Sequence, residues 1–309
     1  MKISIIILTY NRSTCLKSLL LSLQELRYEP LEIVVVDNHS EDDTEKLISQ
    51  EFSNIDYIRT DENIGVSARN LGLKKATGDI VITLDDDICG MNDDGIEILV
   101  ELFDNYQDIG AVCFKVVDFY TGKLCNWCHP FKIEEYSHKR FITDGISEGA
   151  VAFRRSIFEI TGFYPDDFFI SYEGADLLCR MLETGFKTVY EPMITVYHKH
   201  AENGRSNWRR YYYDTRNQIW FVARNYPLLM GLRYLVRGLT AMLIYSMRDG
   251  FIKYWVKGLW DGVRLLPQVL ADRKCITKET IKNLQDIARN KPGFVYMIRK
   301  RIFQRGIQI

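Results

Sequence analysis

Three consecutive carboxylates, Asp85, Asp86 and Asp87, directly follow the apolar run 80–84. Because the three charges repel one another, such a cluster is stable only where a cation or hydrogen-bond donors compensate it. In an extended chain, Asp85 and Asp87 would point to the same side. Carboxylate oxygens are ligands preferred by Mg²⁺ and Mn²⁺, ions that also bind diphosphates. The cluster therefore indicates either a divalent-cation site or, taken by itself, a solvated acidic turn.

The elements around the cluster decide between these interpretations. Apolar, β-branched strands are predicted at 3–8, 33–36, 55–60 and 80–84, with helices between them at 13–26, 42–50 and 66–76. This alternation predicts an α/β fold with a mainly parallel, Rossmann-like sheet flanked by helices. Such sheets bind ligands beyond the carboxyl ends of their strands, where Thr9, Asp37 and Asp85 lie. The position of the cluster therefore favours the cation site.

The chain changes character after this region. Strands are predicted at 111–117, 148–153 and 188–200, with a helix inside 168–185 and an irregular insertion at 120–142. From Trp208 onward, aromatic and basic residues interleave, and amphipathic helices are predicted to about residue 269.

The net charge of −1 hides a division between two parts of the chain. Residues 1–204 carry 19 Lys/Arg and 35 Asp/Glu, giving −16, whereas residues 205–309 carry 21 and 6, giving +15. Basic faces beside aromatic faces predict helices lying in an anionic membrane interface, although the tail could instead pack on the acidic body or form an oligomer contact. No nucleic-acid partner is expected, because no binding motif accompanies the basic residues.

Compartment follows from what the sequence lacks. Seven scattered cysteines indicate no disulfide framework, and the N-terminus shows no signal peptide. The longest uncharged run of the tail, 238–247, is about half of what a bilayer requires, so no membrane span is expected. We therefore expect a cytoplasmic protein that binds peripherally to the inner face of the cell membrane.

Several motifs follow one another along the first 225 residues. They are SIIILTYNR at 4–12, VVVDNHS at 34–40, NIGVSARNLG at 63–72 and LDDD at 84–87, and then segments at 148–155, 161–169, 176–180 and 196–198, with Arg216-Asn217 last. In order and spacing they resemble family 2 glycosyltransferases of the GT-A fold. The resemblance implies a catalytic domain at 1–204, with a nucleotide-binding half at 1–110 and an acceptor-binding half at 111–204. A basic, aromatic-rich helical tail would occupy 205–309.

The resemblance also implies roles for single residues. The donor site would be formed by Thr9, Tyr10, Arg12, Asp37, Arg69, Asp85 and Asp86. Within it, Thr9 and Tyr10 would line the nucleobase pocket, Asp37 would bind the base or ribose, and Asp85 would lie near the ribose and sugar. Asp87 would bind Mg²⁺ or Mn²⁺, and His198 would complete the metal shell or contact the diphosphate. His200 is the alternative, since period-two alternation puts both histidines on one strand face.

The catalytic base is implied by an acidic motif that departs from the family pattern. The family usually shows Glu-Asp-x-Asp-Leu, whereas this chain reads EGADL at 173–177, with Gly174 in place of the second acid. Glu173 is the predicted base and Asp176 the second candidate. Asp176 could instead be a structural partner of Arg180, at i,i+4 on one helix.

Together these features predict a metal-dependent, inverting glycosyltransferase. It would move a sugar from a UDP-, dTDP- or GDP-linked donor to a glycan acceptor, expected to be lipid-linked, in cell-surface polysaccharide assembly. A sugar nucleotidyltransferase is the nearest alternative, but the segment YNRS at 10–13 is not its Gly-rich, basic triphosphate loop. A catalytically silent membrane scaffold is favoured only by Gly174.

Overall fold

The computed structural model describes residues 1–199, 208–271 and 273–292, except for the side chain of Asn290. In this part of the chain, nine strands form one sheet. They are β1 (Ile3–Thr9), β2 (Leu31–Asp37), β3 (Asp56–Arg59), β4 (Ile80–Asp85), β5 (Ile88–Cys89), β6 (Ile109–Asp118), β7 (Phe141–Ile142), β8 (Ala150–Arg154) and β9 (Lys187–His198). The helices are α1 (Ser13–Leu23), α2 (Thr44–Glu51), α3 (Arg69–Lys75), α4 (Asp93–Asn105), α5 (Ile133–Tyr136), α6 (Ile157–Thr161), α7 (Glu173–Glu183), α8 (Trp208–Asn225), α9 (Leu228–Arg248), α10 (Ile252–Arg264), α11 (Leu266–Leu270) and α12 (Lys278–Ile287).

The sheet is parallel in its first half and mixed in its second. Its order is β3-β2-β1-β4-β8-β6-β9-β5, with β7 paired to β9. The pairs β1–β2, β1–β4, β2–β3 and β6–β9 are parallel, whereas β8 runs antiparallel to both β4 and β6. The predicted α/β class is correct, but the later strands add antiparallel pairing that the buried apolar runs could not reveal.

Strand burial explains why β1 lies at the centre of the parallel half. Ile3, Ile5, Ile6 and Ile7 are fully buried, as expected of a strand covered by helices on both faces. The ends of β1 and β2 pair Thr9 with Asp37, and β4 pairs Asp85 with Leu8. The three residues predicted at strand ends thus meet at one edge of the sheet.

Four local predictions need correction. The helix predicted at 66–76 begins as a 3-10 turn, Gly65–Ala68, because Gly65 has φ 74° and packs its Cα against the carbonyl of Phe169. Residues 86 and 87 form a turn, so the chain is not extended between Asp85 and Asp87. The insertion at 120–142 contains α5 and reaches the edge strand β7, and helices continue past residue 269 into α12.

The C-terminal helices pack around α8, whose buried residues include Trp220 and Phe221. Among the described residues, α9 is long and apolar enough, by length and composition, to cross a membrane. From the sequence no span is expected, because the uncharged run covers only residues 238–247. The helix is longer because it continues through Arg233 and Arg237, which lie among apolar residues. Only 11% of the most apolar 18-residue stretch of α9 is buried inside the protein.

Candidate active site

The three adjacent carboxylates at the end of β4 are engaged by two arginines: Arg69 pairs with Asp85, and Arg12 is shared by Asp86 and Asp87. Asp85 forms an ion pair with Arg69. Asp86 accepts a hydrogen bond from the Thr9 hydroxyl at 2.8 Å and one from Arg12 at 3.0 Å. Asp87 pairs with Arg12 as well. Protein donors therefore compensate the repulsion that the sequence implied, and Arg12 bridges Asp86 and Asp87.

Burial and these partners shift the pKa values of Asp86 and Asp87 in opposite directions. Burial raises the pKa of Asp86 to about 6, although the neighbouring Arg12 charge opposes the shift. Burial acts in the same direction on Asp87, but hydrogen bonding and charge from His198 and Arg12 hold the pKa of that carboxyl below its ordinary value. Of these two carboxyls, Asp87 is therefore the one whose ionised form the site stabilises.

The two residues predicted to bind a divalent ion, Asp87 and His198, lie next to each other. The Asp87 Oδ1 atom is buried, accepts no hydrogen bond of good geometry, and lies 3.2 Å from His198 Nε2. The other ring nitrogen of His198 lies 3.1 Å from the Asn126 amide nitrogen. Within residues 1–199, 208–271 and 273–292, no three or more His, Cys, Asp or Glu side chains are placed so that they could hold one metal ion together. The protein thus offers two ligand atoms here, and a bound diphosphate and water would supply the others. His200, the alternative ligand, lies outside the described residues.

The predicted nucleobase side of the site is more closed than expected. Asp37 is fully buried, and its oxygens accept hydrogen bonds from the Ser40 N–H at 2.7 Å and the Tyr57 hydroxyl at 2.6 Å. Tyr10 is 40% exposed at the end of β1 and is available to a ligand. Asn38, which sequence reasoning missed, accepts the Ile64 N–H at 3.0 Å and so fixes the segment that carries Arg69.

Arg69 lies in a buried acidic cluster. It is 3% exposed and is acted on by the charges of Asp85, Glu148 and Glu173. The Asp85 carboxylate packs against the Cα of Gly149, where any larger residue would overlap it. The Arg69 guanidinium therefore interacts with three carboxylates but forms an ion pair with Asp85. Glu148 and Glu173 have no such direct ion pair with it.

The two predicted bases lie on α7 in different environments. Asp176 is buried, pairs with Arg180 at 2.9 Å and accepts a hydrogen bond from the Asn225 amide at 2.7 Å. Glu173 Oε2 is buried and has no hydrogen-bond donor. Burial, with the charge of Glu148 second, raises the pKa of Glu173 to about 8. The ion pair offered as the structural alternative for Asp176 is thus present, and Glu173 is the better placed of the two.

The start of α7 is fixed by a strained loop. Phe169, Ser171 and Tyr172 have φ of 63°, 78° and 68°, a conformation that non-glycine residues rarely adopt. The Asn217 side-chain nitrogen lies 2.8 Å from each of three loop carbonyls, and Arg216 donates to a fourth at 3.1 Å. The Arg216-Asn217 motif therefore holds the loop that delivers Glu173.

Among the residues that sequence reasoning left without a role are Tyr57, Asn126 and Glu148. Glu148 opens the segment 148–155, which was part of the motif pattern, but nothing in its own sequence context indicated that it approaches Gly174. Asn126 lies in the predicted irregular insertion, where spacing gives no guidance.

The family model described as glycosyl transferase family 2 matches residues 4–161, just over half of the chain. The chain belongs to this family. It is therefore a glycosyltransferase, as predicted. Two relatives of the enzyme are named O-antigen chain rhamnosyltransferase. They are WbaN of Salmonella anatum, 26% identical over 221 residues (68% of this chain, 70% of the relative), and RfbN of Salmonella typhimurium, 28% identical over 229 residues (69% and 71%).

Solved structures resemble the glycosyltransferase along most of its length. Crystal structures of S. aureus TarS and of its complex with UDP-GlcNAc give TM-scores of 0.59 and 0.60 at 18% and 17% identity. They cover 99% and 94% of this chain and are themselves covered to 93% and 91%. The mannosyltransferase PcManGT from Pyrobaculum calidifontis, in complex with GDP-Man and Mn²⁺, gives 0.56 at 17% identity, covering 98% of this chain and 88% of that structure. These likenesses confirm the predicted GT-A fold.

Proposed function

We propose that this glycosyltransferase moves a sugar from a nucleoside-diphosphate sugar to a hydroxyl of a glycan acceptor, with inversion at the anomeric carbon, in the assembly of a cell-surface polysaccharide. The observation that carries the proposal is the carboxylate cluster at the end of β4, beside the end of β1, with the buried Asp87 carboxylate next to His198. The names of the rhamnosyltransferase relatives support the glycan class, and the UDP-GlcNAc and GDP-Man complexes of similar folds support the donor class.

The donor would lie along the strand ends. Tyr10 is exposed beside the closed Asp37 pocket, where an aromatic face can meet a nucleobase. Arg12, bound to Asp86 and Asp87, lies on the side where the diphosphate must come. Asp85, held by Arg69, is left for the ribose and sugar. The proposal covers UDP-, dTDP- and GDP-linked sugars.

Asp87 and His198 would hold Mg²⁺ or Mn²⁺. These two residues would hold the ion where its charge would stabilise the departing nucleoside diphosphate. The chain's own contribution is to keep Asp87 ionised in a buried site and to orient the His198 ring through Asn126.

Inversion follows from a single displacement. The acceptor oxygen forms a bond to the anomeric carbon while the bond from that carbon to the diphosphate oxygen breaks, and a carboxylate takes the hydroxyl proton. Because Asp176 has both oxygens engaged, the carboxylates left near the start of α7 are Glu173 and its neighbour Glu148.

A lipid-linked acceptor would bring the enzyme to the membrane, and the tail offers a surface for it. On α10, Ile252, Val256, Trp260 and Val263 form an exposed apolar stripe at helical spacing. Lys253, Lys257 and Arg264 are exposed on the same helix. We place the enzyme on the inner, cytoplasmic face of an anionic membrane on this basis.

Thermal unfolding with nucleotides tests the donor proposal. The expected result is stabilisation by one of UDP, dTDP or GDP that grows with Mn²⁺, because a ligand at a hundred times its dissociation constant stabilises by about 2.7 kcal/mol. The matching nucleotide sugars, dTDP-rhamnose included, are then assayed for release of the nucleoside diphosphate. Release of pyrophosphate would indicate a nucleotidyltransferase. Full turnover in excess chelator would contradict the proposed metal dependence. A melting temperature that no nucleotide changes would contradict the proposed donor site.

A further inference from the structure

The space beside Gly174 is filled by a side chain from another part of the chain. A Cβ built on Gly174 would overlap Oε1 of Glu148 and lie 2.9 Å from Ile146 Cγ1. Glu148 precedes β8, whereas Gly174 is the second residue of α7. The Glu148 carboxylate therefore lies where a side chain of residue 174 would begin.

Glu148 and Glu173 form an acid pair in which a second negative charge is disfavoured. Burial raises the pKa of both carboxyls. The charge of Glu148 is a second cause that raises the pKa of Glu173. Arg69 is the cation that acts on both, and it is already paired with Asp85. Two carboxyls in such a setting hold one proton between them.

The two members of the pair differ in access. Glu173 is 5% exposed, and its Oε2 atom is buried without a partner. Glu148 is partly exposed, and backbone N–H groups of Glu148 and Gly174 favour its ionised form. The proton of the pair therefore belongs on Glu173 and the charge on Glu148.

Glu148 is also the member closer to the predicted sugar side of the donor site. Its neighbour Gly149 packs directly on the Asp85 carboxylate, and the Gly149 carbonyl accepts the Asp85 N–H at 3.1 Å. The Tyr164 hydroxyl, buried and without a partner, faces the same cluster. The unpaired Tyr164 hydroxyl and Glu173 Oε2 in this cluster indicate a place for a polar ligand.

We propose that Glu148 is the carboxylate that takes the proton from the acceptor hydroxyl, standing in space for the side chain that Gly174 lacks, with protonated Glu173 as its positioning partner. The proposal rests on the glycosyl transfer proposed above. As the acceptor oxygen bonds to the anomeric carbon, its proton passes to Glu148, and the pair goes from one proton to two. The nucleoside diphosphate leaves with the electron pair of the broken bond.

The spatial part of the proposal is tested without any substrate. Gly174→Ala should lower the melting temperature of the wild-type protein, because the new methyl group displaces Glu148. In a Glu148→Ala background, the same substitution should cost clearly less. Equal losses in the two backgrounds would show that Glu148 does not fill this space.

The chemical part is tested by conservative variants. Glu148→Gln should lower the turnover number by about two to four orders of magnitude with little change in donor binding, the range for loss of a general base. Glu173→Gln keeps the shape of a protonated carboxyl and a hydrogen-bond donor, so its turnover should fall at least about tenfold less than that of Glu148→Gln. The reverse order of the two losses would assign the base to Glu173.

Relocation of the carboxylate gives the sharpest comparison. The double variant Glu148→Ala with Gly174→Asp should recover at least about tenfold over Glu148→Ala alone, because an acid returns to the same space. Glu148→Ala with Gly174→Asn is the matched control and should recover nothing. Equal recovery by both, or full activity of Glu148→Gln, would overturn the proposal. If the wild type turns over no nucleotide sugar, the proposed function fails, whereas the melting cycle still judges the contact.

Discussion

Glu173 shows what burial does to a single carboxyl in this site. In the unfolded chain it loses its proton near the ordinary pKa of 4.5, whereas burial and Glu148 raise the pKa in the folded protein to about 8. Arg69 opposes the shift and Asp214 adds to it. Between these two values the folded state binds more protons than the unfolded state. The contribution to stability is therefore complete below about pH 4.5 and is lost as the pH rises through about 8.

This linkage predicts a pH-dependent effect of Glu173→Gln. Glutamine cannot ionise, so the variant escapes the loss that the wild type suffers as the pH rises. The melting temperature of the variant relative to the wild type should increase steadily from about pH 5 to about pH 8. Differential scanning calorimetry across that range measures it. Parallel curves would mean that Glu173 titrates normally in the folded protein.

Asp87 is the residue on which metal binding should depend. Asp87→Asn removes the charge but keeps the size of the side chain. We expect Mn²⁺ to lose its effect on nucleotide binding and turnover to fall by at least about a hundredfold, since the departing diphosphate loses its counter-charge. Asp86→Asn is the control, because Thr9 and Arg12 already engage that carboxylate. Titration of Mn²⁺ in the presence of the preferred nucleoside diphosphate decides between them, and unchanged Mn²⁺ affinity in Asp87→Asn would contradict the assignment.

At the scale of elements, α8 acts as a clamp on the loop before α7. The loop holds three residues at positive φ, a conformation that costs about 1–3 kcal/mol each and persists only when neighbours fix it. Asn217 supplies that restraint through the carbonyls of Phe168, Ile170 and Ser171. Helix α8 therefore contacts the loop that precedes Glu173.

Removal of this clamp should affect both stability and catalysis. Asn217→Ala removes the amide donor from the half-buried carbonyls of Ile170 and Ser171, at a cost of about 1–3 kcal/mol in the free energy of unfolding. Turnover should fall further than the donor affinity, because the start of α7 shifts while the strand-end site stays. Arg210→Ala on the same helix breaks an exposed pair with Asp214 at 3.7 Å and should change stability by less than about 1 kcal/mol. Denaturant unfolding and steady-state kinetics measure these effects, and equal effects of the two variants would refute the clamp.

The elements also show how far the sequence could lead. The parallel half was predictable, because strands such as β1 and β4 are continuous apolar runs that end in polar residues. The antiparallel position of β8 between β4 and β6 was not predictable, because the residues of a buried strand do not indicate which strands it pairs with. The 3-10 turn at Gly65 depends on the carbonyl of Phe169, and the Glu148–Gly174 contact joins two segments that local patterns treat separately. The chemical residue types were therefore visible, but which carboxylates meet depends on tertiary structure.

At the scale of the whole molecule, charge and exposed apolar area concentrate in the same part of the chain. The basic division of the sequence, +15 after residue 204, coincides with exposed Leu228, Leu229 and Leu232 on α9 and with Trp260 on α10. The predicted division into residues 1–204 and 205–309 stays a prediction. A soluble monomer seldom leaves so many large apolar side chains exposed without using them, so the alternative to a membrane is a second protein copy.

Liposome binding distinguishes these possibilities. Each Lys or Arg near an anionic surface adds about 1 kcal/mol, and this contribution weakens as salt rises, whereas burial of the apolar stripe does not depend on salt. We expect co-sedimentation that increases with anionic lipid, partial release by high salt and fuller release by detergent. Resistance to high salt and alkaline carbonate together would instead indicate that α9 crosses the bilayer.

Paired variants locate the contact. Trp260→Ser with Val256→Ser should remove the binding that survives high salt, and Lys253→Glu with Arg264→Glu should remove the part that salt weakens, because each pair alters one of the two contributions. Exposed residues on the catalytic part provide matched controls: Met193→Ser with Ile160→Ser, and Lys46→Glu with Lys123→Glu, should leave binding unchanged. If the wild-type protein stays in the supernatant at every lipid composition, the exposed stripe must be covered by another protein. A concentration-dependent dimer that dissociates in the Trp260→Ser and Val256→Ser variant would then identify a second copy of this chain as its partner.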